Sequence, residues 1–127
     1  MSALRNVRKD FEETFKDLGL NVYAYDVEQP KPPCIIVSPS DPYIRKYSAG
    51  TKTMNATMTV GYNIIIIGAK GLKPENVDIL DDYLYSVYEA LEPIAHIGSV
   101  GRPGNVELDN GEYFGVVVEV EYNPPRL

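Results

Sequence analysis

The sequence has few of the residues that enzymes and metal sites use. Its 127 residues include one histidine, one cysteine and no tryptophan. The single cysteine, Cys34, excludes an internal disulfide, and its apolar neighbours indicate packing rather than a reactive thiol. His96 has no flanking catalytic motif, and the spacing of Gly98, Gly101 and Gly104 differs from that of a dinucleotide fingerprint. We therefore expect no catalytic residue, no cofactor and no bound metal.

Basic residues are scarce in the second part of the chain. Residues 1–73 contain ten basic and seven acidic residues, a net charge of +3, whereas residues 74–127 contain two and eleven, a net charge of −9. The overall charge is −6, whereas proteins that bind nucleic acids specifically usually carry a basic surface. The sequence therefore gives no sign of specific nucleic-acid binding. The uneven distribution could favour head-to-tail association of identical copies, and a scattered surface without consequence is the simpler alternative.

Long hydrophobic runs are also missing. No apolar stretch is long enough to span a membrane, so we expect no membrane partner. The chain starts with a charged amphipathic segment, which is unlike a secretory signal.

Two segments have the apolar spacing of amphipathic helices, with apolar residues at every third or fourth position. Ser2 and Gly19 suit the two caps of the first helix. Pro74 suits the first position of the second helix, and Pro93 ends it. The first apolar face consists of Leu4, Val7, Phe11, Phe15 and Leu18, and the second of Val77, Leu80, Leu84, Val87 and Leu91.

Residues 54–67 are predicted to form one long β-strand, because residues 54–64 alternate between apolar and polar with a period of two. At about twice the usual length, this strand is expected to extend beyond its own sheet. Residues 64–67 are apolar on both faces, as in a strand covered on both sides. The polar face carries no charge, which suits contact with another subunit or, equally well, a solvated sheet face. Its predicted apolar face is Met54, Ala56, Met58, Val60, Tyr62 and Ile64, and its polar face is Thr53, Asn55, Thr57, Thr59, Gly61 and Asn63.

Shorter strands are predicted at residues 20–27, 34–38, 105–109 and 112–122. Pro39 is expected to stop the second of these, and Asn110-Gly111 suits the tight turn of a terminal hairpin. Residues 94–103 could hold a further short strand. Together these elements predict one α+β domain over residues 1–127, with a mainly antiparallel sheet of about four to five strands and two helices packed on one face. Residues 39–55 are predicted to form a protruding ribbon or, alternatively, a loop.

Several features mark candidate contacts with other proteins. Ten tyrosines exceed what one small core can hold, and tyrosine is enriched at interfaces. The second helix carries an acidic row without lysine or arginine, which could dock a basic partner, bind a divalent ion or remain solvated. The candidate interface residues are Tyr43, Ile44, Arg45, Lys46, Tyr47, Lys52, Asn55, Thr57, Thr59, Asp78, Asp82 and Tyr85.

Four features taken together resemble a known family. They are the amphipathic first helix, the long strand at residues 54–67, the acidic helix with Asp78-x-x-Asp81-Asp82 that ends Glu89-Ala90-Leu91-Glu92-Pro93, and the closing strand at residues 113–122. This pattern is similar to that of the small tail-terminator or tail-completion proteins of long-tailed bacteriophages, and the similarity covers nearly the whole chain.

The resemblance implies a non-enzymatic virion subunit, assembled in the host cytoplasm as a hexameric ring at the end of the tail nearest the head. Such a ring binds the tail-tube protein, stops tube growth and offers a surface to the head–tail connector protein. DNA could pass through an acidic lumen without binding, because carboxylates repel phosphates. The alternatives are another neck or connector protein, a small ligand-binding α+β domain, and a small enzyme using His96 or the acidic helix.

Overall fold

The computed structural model of the chain describes residues 3–23, 31–46, 58–69, 74–108 and 111–122. In this part of the chain it confirms the predicted α+β fold, with six strands rather than four or five. The two helices are α1 (Ala3–Phe15) and α2 (Pro74–Leu91), and the strands are β1 (Asn21–Tyr23), β2 (Cys34–Lys46), β3 (Met58–Ala69), β4 (His96–Val100), β5 (Gly104–Leu108) and β6 (Gly111–Tyr122).

The sheet is centred on β3, which pairs with β2 on one side and β6 on the other. The strand order is β1-β2-β3-β6-β4, and β5 pairs with the other end of β6. β1 runs parallel to β2, and all other pairs are antiparallel. Residues 64–67 of β3 are all isoleucine and lie opposite residues 34–37 of β2 and 115–118 of β6. Branched side chains suit such a central position, because they pack well on a pleated surface.

Both helices pack on the same face of the sheet, as predicted. Alternate residues of β3, from Val60 to Ile66, point towards this face and are fully buried. The helices bury their predicted apolar stripes against these residues, and one continuous core results. The buried side chains of the helices are Val7, Phe11 and Phe15 on α1 and Leu80, Val87 and Leu91 on α2.

The opposite face of the sheet has a smaller apolar cluster at one end. Cys34, Ile36, Ile67 and Tyr113 are buried there, and Ile65 is half-buried. The burial of Ile67 agrees with the prediction that residues 64–67 are covered on both faces. Burial also raises the pKa of the Cys34 thiol to about 11, which agrees with a packing role for this residue.

The prediction that Pro39 ends the second strand was wrong, because β2 continues to Lys46. Pro39 lies opposite Tyr62 and Ile44 lies opposite Val60, so four residues of β2 face only Gly61 of β3. This wide bulge accommodates two prolines that lack backbone N–H donors. It is closed by the Ser40 hydroxyl, which donates a hydrogen bond to the Pro42 carbonyl at 2.9 Å.

The remaining predicted strands lie wholly or partly in the described part of the chain. The strand predicted at residues 20–27 contributes β1, and residues 24–27 lie outside the described part of the chain. β4 occupies the region where a further strand was possible, and Leu108 pairs with Gly111 in the terminal hairpin. Gly19 has φ of +79°, as expected for a glycine that follows a helix end.

Val77 departs from the predicted apolar face of α2, since 39% of its surface is exposed. It lies in the first turn of α2, and the first α2 side chain that is fully buried is Leu80, almost one turn later. None of the described helices is long and apolar enough to cross a membrane.

Replacing Gly61 by alanine is expected to destabilise the fold, because an added Cβ would clash with the Ser40 Oγ and lie 3.3 Å from the Pro42 carbonyl oxygen. Overpacking of this kind costs about 1–3 kcal/mol. Gly98→Ala is the matched control, since its Cβ meets only the Glu119 carbonyl oxygen at 3.5 Å. Urea unfolding should show a lower midpoint for Gly61→Ala alone. Equal midpoints for both variants would contradict the bulge geometry.

Candidate functional site

The described candidate residues lie on two separate surfaces. Tyr43, Ile44, Arg45, Lys46 and Thr59 belong to β2 and β3, whereas Asp78, Asp82 and Tyr85 belong to α2. Tyr47, Lys52, Asn55 and Thr57 lie outside the described residues. We call residues 43–46 of β2 with residues 58–60 of β3 the ribbon. The acidic face consists of the exposed carboxylates of α2 and of Glu92, which directly follows α2, together with Tyr85.

The ribbon extends the β2–β3 pair beyond the end of β6. Ile44, Arg45 and Lys46 lie opposite Val60, Thr59 and Met58. Pairing of β3 with β6 ends at Val60, which lies opposite Tyr122, so in the described sheet Met58 and Thr59 pair with β2 alone. The long strand predicted from residue 54 is described from Met58 onwards. Ile44 is 44% exposed, so an apolar side chain lies on the surface next to two basic positions.

Tyr43 anchors the ribbon to the core and is not a freely exposed aromatic. Its ring meets the ring of Tyr62 edge-on, with 5.5 Å between the centroids. The two hydroxyl groups are hydrogen-bonded at 2.9 Å. Burial, together with this hydrogen bond, raises the pKa of the Tyr62 phenol. A partner contact by Tyr43 stays a prediction, and such a contact would involve only the half of the side chain that is exposed.

Phe11 of α1 is the centre of the aromatic cluster under the ribbon. Its ring meets Tyr62 at 5.3 Å and Tyr122 at 6.0 Å, both edge-on. The Tyr122 hydroxyl donates a hydrogen bond to the Asp10 carboxylate at 3.2 Å, which links the end of β6 to α1. Burial and this hydrogen bond raise the pKa of Tyr122. The cluster therefore fixes the direction in which the ribbon leaves the domain.

The acidic face covers the side of α2 that points away from the sheet. The predicted acidic row is exposed, as are Asp81 and Glu92, whose negative charge was expected to add to it. Tyr85 is 65% exposed in the middle of the row, and Ile79 beside it is 45% exposed. The Tyr85 hydroxyl is hydrogen-bonded to Glu89, which raises the pKa of Tyr85. The exposed carboxylates are those of Glu75, Asp78, Asp81, Asp82, Glu89 and Glu92.

This face combines negative charge with apolar area. Charged rims around exposed aromatic and aliphatic groups are typical of protein-binding surfaces. A divalent-ion site was one alternative for this row. Among the described residues, no group of three or more acidic, histidine or cysteine side chains is placed to hold a metal. The structure therefore describes a negatively charged surface with exposed apolar side chains, and a basic protein partner for it stays a prediction.

A nucleophile pair formed by Cys34 and His96 is excluded by the sheet topology. Cys34 is buried on β2, at the end of the sheet opposite Ile67, whereas His96 is exposed on β4, opposite Glu121. β3 and β6 lie between these two strands, which separates them by roughly 14 Å across the sheet alone. The two side chains cannot share a proton across this distance.

Sequence reasoning missed two features of these surfaces. The first is the Tyr43–Tyr62 anchor, and the second is the exposure of Ile79 within the acidic face. Pro39 and Pro42 were a usable signal for the anchor, because two prolines in an otherwise strand-like stretch indicate a bulge that changes the direction of later side chains.

Comparison with known proteins gives no match to this chain, either among protein-family models or among curated proteins.

Removing the Tyr43 hydroxyl should weaken the anchor, because Tyr43→Phe leaves the hydroxyl of the buried Tyr62 without this partner. We expect a loss of about 0.5–1.5 kcal/mol in the free energy of unfolding, and a larger loss for Tyr43→Ala, which also removes the ring contact. Tyr85→Phe serves as the control on an exposed tyrosine and should leave stability unchanged. Denaturant titration measures all three. Wild-type stability of Tyr43→Ala would show that the anchor is absent.

Cys34 should react slowly with a thiol-specific reagent in the folded protein. Its raised pKa leaves about 100-fold less thiolate near pH 8 than the ordinary value of 9.0 gives, and burial limits access further. The rate for the folded protein should keep rising up to about pH 11, whereas the rate in denaturant should level off near pH 9. A folded-state rate that levels off near pH 9 would contradict the buried position of the thiol.

Proposed function

We propose that the protein is a structural, non-catalytic subunit of a long-tailed phage virion, a tail terminator that assembles into a ring of six copies. The observation that carries this proposal is the separation of two surfaces of opposite charge on one small domain. The ribbon carries Arg45 and Lys46, and the acidic face carries six exposed carboxylates without a basic residue on α2. A head-to-tail ring requires two different and complementary surfaces on each copy.

The fold supports this arrangement because both surfaces are attached to the core of the domain. The ribbon is anchored through Tyr43 and Tyr62, and α2 is fixed on the sheet by Leu80, Val87 and Leu91. Preorganised surfaces lose little conformational freedom on association, which favours a defined ring over irregular aggregates.

In the proposed virion, one side of the ring binds the last ring of tail-tube protein and blocks further polymerisation. The other side presents a surface to the head–tail connector protein. The excess of negative charge in residues 74–127 would keep passing DNA from binding where it lines the channel.

Self-association should therefore be measurable and sensitive to salt. We expect sedimentation at high protein concentration and low salt to detect a species of about six copies. Its population should fall as ionic strength rises through about 0.1 M, where exposed charges are screened beyond ~10 Å. A chain that stays monomeric under all these conditions would contradict a ring that forms without a template.

Charge reversal on the acidic face should weaken the same association. Asp78→Lys combined with Asp82→Lys places like charges against the basic surface of the next copy, and we expect at least a tenfold (about 1.4 kcal/mol) weaker association. Glu107→Lys combined with Glu112→Lys changes the net charge equally on exposed positions of the terminal hairpin and should have little effect. If both double variants associate like the wild type, the electrostatic ring interface is wrong.

A further inference from the structure

One flank of α2 exposes apolar side chains beside the acidic face. Val77 is 39% exposed, Tyr88 is 38% exposed, and the half-buried Leu84 lies between them. Steps of seven and four residues place all three side chains on one stripe of the helix, about 16 Å long. We call Val77, Leu84 and Tyr88 the α2 stripe. Leu84 also packs against the core, so the stripe lies where the surface of α2 passes from the core to solvent.

Carboxylates interrupt the α2 stripe. Asp81 is exposed four residues after Val77 and three residues before Leu84. Glu92 is exposed four residues after Tyr88, and its backbone N–H still donates a hydrogen bond to the Tyr88 carbonyl at 3.1 Å. Apolar area next to charged groups is typical of surfaces that bind proteins. A partner that covers the stripe must therefore supply an apolar side chain within a positively charged part of its own surface.

Ile44 of the ribbon is an exposed apolar side chain of this kind. It is 44% exposed and lies opposite Val60, the residue at which pairing of β3 with β6 ends. Ile44 belongs to residues 1–73, which carry a net charge of +3, whereas the α2 stripe belongs to residues 74–127, which carry a net charge of −9. This opposite charge favours contact between the two parts on separate molecules.

Ile44 cannot reach the start of the α2 stripe on its own copy. Gly68 of β3 lies under α2, since a Cβ added to this glycine would be 3.5 Å from the Leu80 side chain. Gly68 follows Val60 by eight residues, which is about 27 Å along the strand. Val77 precedes Leu80 by only about 4.5 Å along the helix, so it stays roughly 20 Å or more from Ile44. The contact between Ile44 and Val77 therefore requires a second copy.

We propose that Ile44 of a second copy of this chain packs on the α2 stripe, between Val77 and Tyr88. The inference rests on the proposed ring and names the apolar contact that holds neighbouring copies together. Exposed ion pairs contribute little individually, whereas burial of an aliphatic side chain contributes more. The carboxylates beside the stripe orient the approaching copy, and the apolar contact sets how slowly the two copies separate. Since the two sites are distant on each copy, the contact is heterologous and repeats head to tail.

A matched pair of valine variants tests this contact. Val77 and Val100 are both 39% exposed, Val77 on α2 and Val100 on β4. Val77→Ser and Ile44→Ser should each weaken self-association about tenfold in sedimentation experiments, because the apolar area that the contact buries is lost. Val100→Ser should associate like the wild type. All three changes lie on the surface, so denaturant titration should give a stability close to that of the wild type for each variant.

Cross-linking between two variant chains locates the contact directly. Ile44→Cys protein is mixed with Val77→Cys protein and treated with oxidised glutathione, which is reduced as the two thiols join, and the buried Cys34 is left in place. We expect a disulfide-linked dimer with one chain of each kind, identified by its mass, because the bond forms only when the two Cα atoms come within about 7 Å. Ile44→Cys mixed with Val100→Cys is the control and should give only background linkage.

The outcomes separate this contact from the ring. Rings of six that form equally well with Ile44→Ser and Val77→Ser, or equal linkage in both cysteine mixtures, would overturn the contact and retain the proposed function. Association that depends on Ile44 and Val77 but yields open chains would retain the contact and overturn the ring. If the wild type neither associates nor cross-links, the contact is wrong, and the capping of tail tubes then decides separately on the proposed function.

Discussion

The burial of β3 between β2, β6 and the two helices is the constraint on which the remaining structure depends. Val60, Tyr62, Ile64 and Ile66 point into the core on alternate positions, and their backbone groups pair on both sides. A shift of one residue would turn this entire set away from the helices, so the register of the sheet is fixed. One buried aromatic side chain of the core, such as Phe11, contributes about 3–5 kcal/mol, a large part of a typical net stability of ~5–15 kcal/mol.

Because the register of β3 is fixed, the bulge between Pro39 and Ile44 of β2 determines where the ribbon lies. Since β3 cannot move, the extra residues between Pro39 and Ile44 must rise above Gly61. The same distortion turns Tyr43 towards Tyr62 and sets the path of the ribbon. One local deviation from ideal pairing thus positions one of the two proposed contact surfaces.

The sequence predicted the elements whose signal is periodic and local. The apolar steps of α2 from Leu80 onwards and the alternation of residues 59–64 were correct, because burial on one face leaves a direct pattern. The path of β2 beyond Pro39 could not be predicted, since proline usually ends pairing and its tolerance here depends on a glycine more than twenty residues away. The candidate surfaces were located by charge and tyrosine content, whereas the contact between Tyr43 and Tyr62 joins two strands that only the fold brings together.

The function of the protein is tested most directly on the tail tube itself. Tail-tube protein from the same genome is allowed to polymerise with and without this protein, and tube lengths are measured by electron microscopy. The account predicts shorter tubes of limited length that carry a ring of this protein at one end. Tubes of unchanged length, with no protein bound at their ends, would contradict its proposed role as a tail terminator.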